Sequence, residues 1–267
     1  MSTTAKAEVP HTRVAVIGAG FSGVAAAAAL QREGQDFVVI ERAGDVGGVW
    51  RDNTYPGVAC DIPSHLYSFS YAPNPAWSRT FAGGSQIAAY IRAVAEEHGV
   101  LDRFRFGQEL LNASWDDERQ RWSVSTTDLE LTADVVVDAC GPLTEPQVPN
   151  MPGLESFPGK VFHSARWDHQ HDLSGERVAV VGTGASSIQF VPEIQPEVER
   201  LTVFQRTPGW VIPRFDRDTT ALERRVLARV PGAARLARVF QFAIRDGVHY
   251  RLRAPGSALE RLRAILR

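Results

Sequence analysis

Cysteine is scarce in this sequence: two residues, Cys60 and Cys140, among 267. Two thiols cannot by themselves build a disulfide framework or a metal cluster, and no C-x-x-C redox pair is present, so no metal site is expected. Long apolar runs are missing as well. The alanine-rich stretch VAAAAALQREG falls short of the roughly 18 residues that a membrane span needs, which leaves no membrane partner in view. The amino-terminal MSTTAKAEVPHTR lacks the apolar core of a secretory signal, so the expected compartment is the cytoplasm. What the chain does have is an ordinary globular composition, 44% hydrophobic and 22% charged, enough for one large or two modest domains.

Charge is unevenly spread. From Asp216 onward 12 Lys or Arg stand against 5 Asp or Glu, whereas the first 215 residues hold 17 against 26. A basic end is one signature of nucleic-acid binding. The other reading is a surface helical segment whose arginines meet solvent or the acidic remainder. The spacing of Leu222, Val226, Val230, Leu236, Val239, Phe240 and Ile244 suits such amphipathic helices, and no nucleic-acid partner is expected.

The sequence RVAVIGAGFSGVAAAAALQREGQDFVVIER opens on an apolar run, Val14 to Ile17, turns at Gly18-x-Gly20-x-x-Gly23, and continues into residues of high helix propensity. Strand, turn and helix in that order suit a phosphate group. Gly18 allows the tight turn, Gly20 lets the backbone approach a pyrophosphate, and Gly23 lets the helix lie close to the strand. A second apolar run, Phe37 to Ile40, ends at Glu41, where a carboxylate can accept hydrogen bonds from a ribose hydroxyl. Gly47 and Gly48 then form a second glycine loop, which suits a cofactor as long as FAD; an ordinary loop is the other reading.

A helix is predicted from about Gln86 to Glu97 with Ser85 as its cap. The runs ELLNASWD, RWSVSTT and LELTAD read as a small antiparallel insertion before a buried strand, DVVVDACG. The first pattern then returns in ERVAVVGTGASSIQFVPEI: a strand from Val178 to Val181, then Gly182-x-Gly184-x-x-Ser187. The strand that follows, RLTVFQRT, ends at Arg206 rather than at an acid. A guanidinium there suits a 2'-phosphate and so favours NADPH over NADH, unless it is simply an exposed strand-end arginine. Two dinucleotide sites in one chain imply electron transfer between their cofactors. The expected fold is α/β, with two Rossmann-like doubly wound units, the second incomplete, and a helical carboxyl-terminal segment.

Between the two turns lies FPGKVFHSARWD, residues 157 to 168. Read as F-x-G-x-x-x-H-x-x-x-W-D, it resembles the fingerprint of the Baeyer-Villiger monooxygenases, the class B flavoprotein monooxygenases. Phe157, Gly159, His163, Trp167 and Asp168 fill every specified position. The resemblance extends to GGVW, YPGVACDIPSHLYSFSY, GTGASS and VFQRTPGWVIPR and covers most of residues 12 to 215.

The resemblance implies FAD at Gly18, Gly20, Phe21, Ser22, Gly23 and Glu41, at Gly48, Val49 and Trp50, and at Cys60, Asp61, Tyr67 and Leu110. It implies NADPH at Thr183, Gly184, Ala185, Ser186, Ser187, Ile188 and Gln189, with Arg206 and Thr207. It makes Asp61 the active-site aspartate near the flavin, which by itself also reads as a turn former. It makes His163 a hydrogen-bonding hinge and Trp167 its packing anchor, and both join Asp61 in the implied catalytic set. The substrates it implies are a small-molecule ketone and O2, with an ester or lactone as product.

The resemblance implies three segments: an FAD-binding domain over 1–142, a connector over 143–176, and an NADPH-binding domain over 177–267. In that family the chain continues past the second domain, with a D-x-x-x-x-A-T-G-type segment and an active-site arginine. Neither has a match in residues 216 to 267, so the chain is expected to be an amino-terminal part: a truncated gene, a fragment, or one half of a split pair whose partner is a separate carboxyl-terminal half. Other readings are an N- or S-oxygenating flavin monooxygenase, disfavoured by Trp167 and Asp168, and a non-catalytic dinucleotide-binding remnant.

Overall fold

The computed structural model describes residues 9–209 and 214–253, with side chains as far as residue 247. It divides into two compact units, one of Met1–Val58 with Gly83–Trp210, the other of Ala59–Ala82 with Val211–Arg267.

The first unit is built on β1 (His11–Ile17), α1 (Phe21–Arg32) and β2 (Phe37–Ile40), followed by the short α2 (Val49–Asp52) and by α3 (Gly84–Glu97). Four strands come next: β3 (Phe104–Arg105), β4 (Leu110–Asp116), β5 (Arg121–Thr126) and β6 (Glu130–Asp138). They form one six-stranded sheet in the order β3-β2-β1-β6-β5-β4. β1 lies parallel to both β2 and β6, while β4, β5 and β6 are antiparallel neighbours.

The antiparallel strands therefore belong to the main sheet rather than forming a small insertion ahead of it. LELTAD and DVVVD are a single nine-residue strand, because no glycine or proline separates Ala133 from Val135. Its first half pairs with β5, Leu131 opposite Val124, and its second half with β1, Val135 opposite Val14.

The small alanines of α1 allow close packing: Val24 and Ala27 are fully buried, as are Val16 and Val39, which are paired on one face of β1 and β2. Helix α3 buries Ile87, Tyr90, Ile91 and Val94, the face that its spacing predicts. It starts earlier than expected, with Gly83 rather than Ser85 at its cap, because the Gly84 amide is held 2.9 Å from the Val58 carbonyl.

After the connector come β7 (Arg177–Val181), α4 (Ala185–Ile194) and β8 (Arg200–Phe204), a two-stranded parallel sheet with its crossover helix. Strand β8 stops at Phe204, so Arg206 lies two residues beyond it rather than at its end. Tyr55, Val180, Phe190 and Ile194 form the core here. Val181, Val203, Phe204 and Ile188 remain exposed.

The second unit holds α5 (Ala221–Arg229) and α6 (Ala233–Arg253). The apolar positions from Leu222 to Ile244 have helical spacing, yet Leu222, Leu236, Val239 and Phe240 are exposed. Polar clamps hold the unit together. Asp216 accepts from Arg79 at 3.0 Å, Arg214 at 2.9 Å and the Phe81 amide at 3.2 Å. Arg238 donates to the carbonyls of His65, Leu66 and Ser68.

A capping box starts α5, with Thr220 and Glu223 exchanging hydrogen bonds. The Arg217 guanidinium, then the Thr220 amide, hold the Glu223 carboxyl down at about 2. A carboxyl depressed in the folded state stabilises it fully above the unfolded value of roughly 4.3, and that contribution fades as pH falls toward 2. Helicity followed between pH 5 and 2 is therefore expected to decline less for Glu223→Gln than for the unaltered chain; equal declines would contradict the assignment.

Candidate functional site

The first glycine turn is fixed by contacts that no side chain could survive. Gly18 has φ of +104°, and a Cβ there would lie 2.6 Å from the Ala139 carbonyl oxygen. At Gly23 a Cβ would lie 1.9 Å from the Gly18 oxygen, so α1 abuts its own turn. Gly20 caps α1 without a side-chain bond, and no acid occupies the first helical turn. The positive end of the helix dipole, with no acid beside it, suits an anion here.

The second glycine loop closes on the first. A Cβ on Gly48, where φ is +55°, would meet the Gly20 Cα at 3.0 Å, and the Gly47 amide donates to the Ala19 carbonyl at 2.9 Å. Two bare backbones thus face each other, leaving a cradle that any Cβ would fill. A cofactor carrying a pyrophosphate fits this donor set. Trp50, in α2, lies beside Gly84.

Glu41 is buried and already engaged. Its Oε2 accepts from the Ala19 amide and its Oε1 from the Ala43 amide, both at 2.8 Å, with the Arg51 guanidinium 3.5 Å away. The carboxylate braces the glycine turn, and its remaining lone pairs can still accept from a hydroxyl. Arg51 also donates to Asp52 and to the Asp45 carbonyl, locking α2 onto the loop. Arg51 went unread in the sequence because its role follows from the folded loop rather than from a motif.

Of the remaining residues implied for FAD, Phe21 and Ser22 open α1, with Phe21 6.3 Å from the Tyr90 ring. Val49 opens α2, and Leu110 opens β4 against the sheet cluster that includes Ile17 and Ile40. Cys60, Asp61 and Tyr67 lie in the second unit. Asp61 is exposed, and the Tyr67 amide donates to the Pro63 carbonyl. Burial pushes the Cys60 thiol up to about 11, and the same cause lifts Cys140 to about 11. Both shifts favour the neutral thiol near neutral pH.

The second turn repeats the backbone of the first. Gly182 has φ of +107°, and Gly184 caps α4 at φ −74° and ψ −177°, against −78° and −162° at Gly20. No atom lies within 4 Å of a Cβ built on Gly182 or Gly184, so this turn is open. Ser187 carries a real Cβ where Gly23 tolerates none, so α4 stands further from its turn than α1 does. Gln205 donates to the Thr183 hydroxyl at 3.2 Å. Arg206 and Thr207 are exposed just beyond. The open turn and the exposed guanidinium of Arg206 suit a dinucleotide with a 2'-phosphate.

The connector is largely exposed, with Phe157 and Val161 among its open side chains, and is held by a few specific contacts. The Phe157 ring lies over Gly159, where a Cβ would meet it at 2.6 Å. His163 Nδ1 accepts from the Ala165 amide at 3.1 Å, capping a short 3-10 turn. Trp167 packs 5.3 Å from the Phe190 ring of α4 and 5.2 Å from Phe162. Asp168 pairs with Lys160 at 2.6 Å, which holds its carboxyl below the usual range. His163 here makes a cap, and Trp167 packs against two rings. Among the described residues no cluster suits a metal, and no helix is long and apolar enough to cross a membrane.

Comparison with known proteins agrees with this geometry. A family model described as flavin-binding monooxygenase-like matches residues 11–249. A Baeyer-Villiger monooxygenase of Streptomyces coelicolor is 59% identical over 237 residues, 88% of this chain and 46% of its own length. A cyclohexanone monooxygenase solved with epsilon-caprolactone superposes with a TM-score of 0.78 at 34% identity, over 85% of this chain and 45% of that one. A steroid monooxygenase bound to NADP gives 0.77 at 36% identity, over 86% and 45%. The chain spans about half the length of these relatives.

Proposed function

The chain belongs to the flavin-binding monooxygenase-like family, and from that footing we propose that it carries the two nucleotide turns of an FAD- and NADPH-dependent monooxygenase of the Baeyer-Villiger type. In the reaction, one atom of O2 enters a ketone to give an ester or lactone, the other leaves as water, and NADPH becomes NADP+. The observation that carries the proposal is the pair of matched glycine turns joined by the complete F-x-G-x-x-x-H-x-x-x-W-D connector. The lactone in the cyclohexanone monooxygenase structure supports the same reaction class.

The roles divide by residue. The amides at the start of α1 bind the FAD pyrophosphate, the bare Gly20 and Gly48 backbones pass it closely, and Glu41 orients a ribose. The α4 turn, Thr183 to Gln189, binds the NADPH pyrophosphate, with Arg206 on the 2'-phosphate and Thr207 beside it. Bound flavin supplies the O2 chemistry. Asp61 orients a cation at the reacting centre, His163 holds the connector's turn, and Trp167 anchors that turn to α4. We place the FAD-binding domain in 1–142, the connector in 143–176 and the NADPH-binding domain in 177–267.

Removing the guanidinium tests the cofactor choice. Arg206→Ala is expected to weaken NADP+ binding about tenfold or more and to leave NAD+ binding unchanged, since a hydrogen bond to a charged group is lost in one case only. Calorimetric titration reads both.

The exposed Val181, Val203 and Phe204 suggest that a further polypeptide covers the small sheet, and a separate carboxyl-terminal half is the partner proposed. Alone, the chain is expected to hold FAD weakly and to show no ketone-dependent NADPH oxidation. Mixed with FAD and the separately expressed carboxyl-terminal half of the Streptomyces coelicolor relative, it is expected to convert a ketone to an ester. Oxidation of an amine or sulfide instead would favour the N- or S-oxygenating reading.

A further inference from the structure

The two glycine turns match bond for bond at their strand ends. The Gly18 amide donates to the carbonyl of Ile40, the last residue of β2, at 2.8 Å, and the Gly182 amide donates to that of Phe204, the last residue of β8, at 2.9 Å. One residue past each strand, a side chain returns to the residue between the two glycines. Glu41 accepts from the Ala19 amide at 2.8 Å, and Gln205 donates to the Thr183 hydroxyl at 3.2 Å, each pair 22 residues apart. Gln205 therefore stands where Glu41 stands. An arginine follows in both places, Arg42 and Arg206. The guanidinium is common to the two turns; the carboxylate is not.

We propose that Gln205 is the specificity-determining residue of the second turn: it braces the turn as Glu41 braces the first, but with a neutral amide, so that a 2'-phosphate meets no negative charge beside Arg206. The inference rests on the reading of this turn as an NADPH site. A carboxylate at this place suits the ribose hydroxyl of a dinucleotide without the extra phosphate and repels one that carries it. Selectivity then comes from a charge left out as much as from the arginine put in.

The test is calorimetric titration of the full chain with NADP+ and with NAD+, using Gln205→Glu, Gln205→Leu and, as the marker of the site, Arg206→Ala. Glutamate keeps the size of the side chain and can accept from the Thr183 hydroxyl, so charge is what changes. Gln205→Glu is expected to weaken NADP+ binding about tenfold or more and to leave NAD+ binding equal or tighter. Gln205→Leu loses the brace without adding charge, at an exposed position, and is expected to keep the ratio of the two affinities within about twofold. If Gln205→Glu leaves that ratio unchanged, or Gln205→Leu lowers it as far, the specificity role is overturned, while a loss of NADP+ binding in Arg206→Ala keeps the site standing. If the unaltered chain binds no NADP+, or Arg206→Ala has no effect, the site fails and the inference falls with it.

Discussion

A Gly23→Ala chain is expected to melt roughly 10 °C below the unaltered one and to lose its FAD affinity. The new methyl would lie 1.9 Å from the Gly18 oxygen and 2.9 Å from the Gly18 carbon, both backbone atoms with nowhere to yield. Helix α1 must lift off its turn, taking the buried Val24 and Ala27 with it. Overpacking of this kind costs about 3 kcal/mol, which in a chain of this size is about 3 °C for each kcal/mol. The matching change at the second turn, Ser187→Ala, keeps a Cβ that the structure already accommodates and should move the melt by no more than about 0.5 kcal/mol. If both variants melted alike, α1 would not be seated against Gly18 as described.

Truncating Trp167 to alanine should cost about 3 kcal/mol, the lower end for a large aromatic because the ring is only half-buried. Its contacts with Phe190 and Phe162 join the connector to the cluster of Tyr55, Val180 and Ile194. Trp167→Phe should recover more than half of that loss. By contrast His163→Ala removes one cap hydrogen bond, about 1 kcal/mol, and Asp168→Asn breaks only an exposed ion pair and should leave the melt unchanged. A thermal series that ranked His163 above Trp167 would contradict the packing account.

Much of this was legible because glycine spacing dictates backbone. Gly18, Gly20 and Gly23 specify strand, turn and helix on steric grounds, and Gly182 and Gly184 reproduce the same dihedral angles from the same pattern. The face of α3 followed from the spacing of Ile87, Tyr90, Ile91 and Val94. What escaped the sequence were contacts whose partners are distant in the chain. Glu41 was legible as an acceptor, but not its bond to the Ala19 amide, which exists only once β2 lies beside β1. Arg51 belongs to no motif read there, and Tyr55 was only the first residue of the stretch YPGVACDIPSHLYSFSY; their partners come from the folded loop and from α4. The single strand β6 was divided in two because its sequence alternates over LELTAD and runs apolar over VVV, although β1 pairs along both parts. The start of α3 was misplaced for a similar reason: Ser85 is the better local cap, but the Val58 carbonyl takes the Gly84 amide first.

The grouping of Ala59–Ala82 with the chain from Val211 onward bears on how the protein is made. On a ribosome adding about 5–20 residues each second, roughly ten seconds pass between the emergence of residue 82 and that of residue 211. Through that interval Phe81 waits without the guanidiniums of Arg214 and Arg245 that finally cover its ring, and the Phe81 amide and Arg79 wait for the carboxylate of Asp216. Order of synthesis and order of assembly therefore part company. The segment born early settles late, only after Asp216 and Arg214 have been added to the chain.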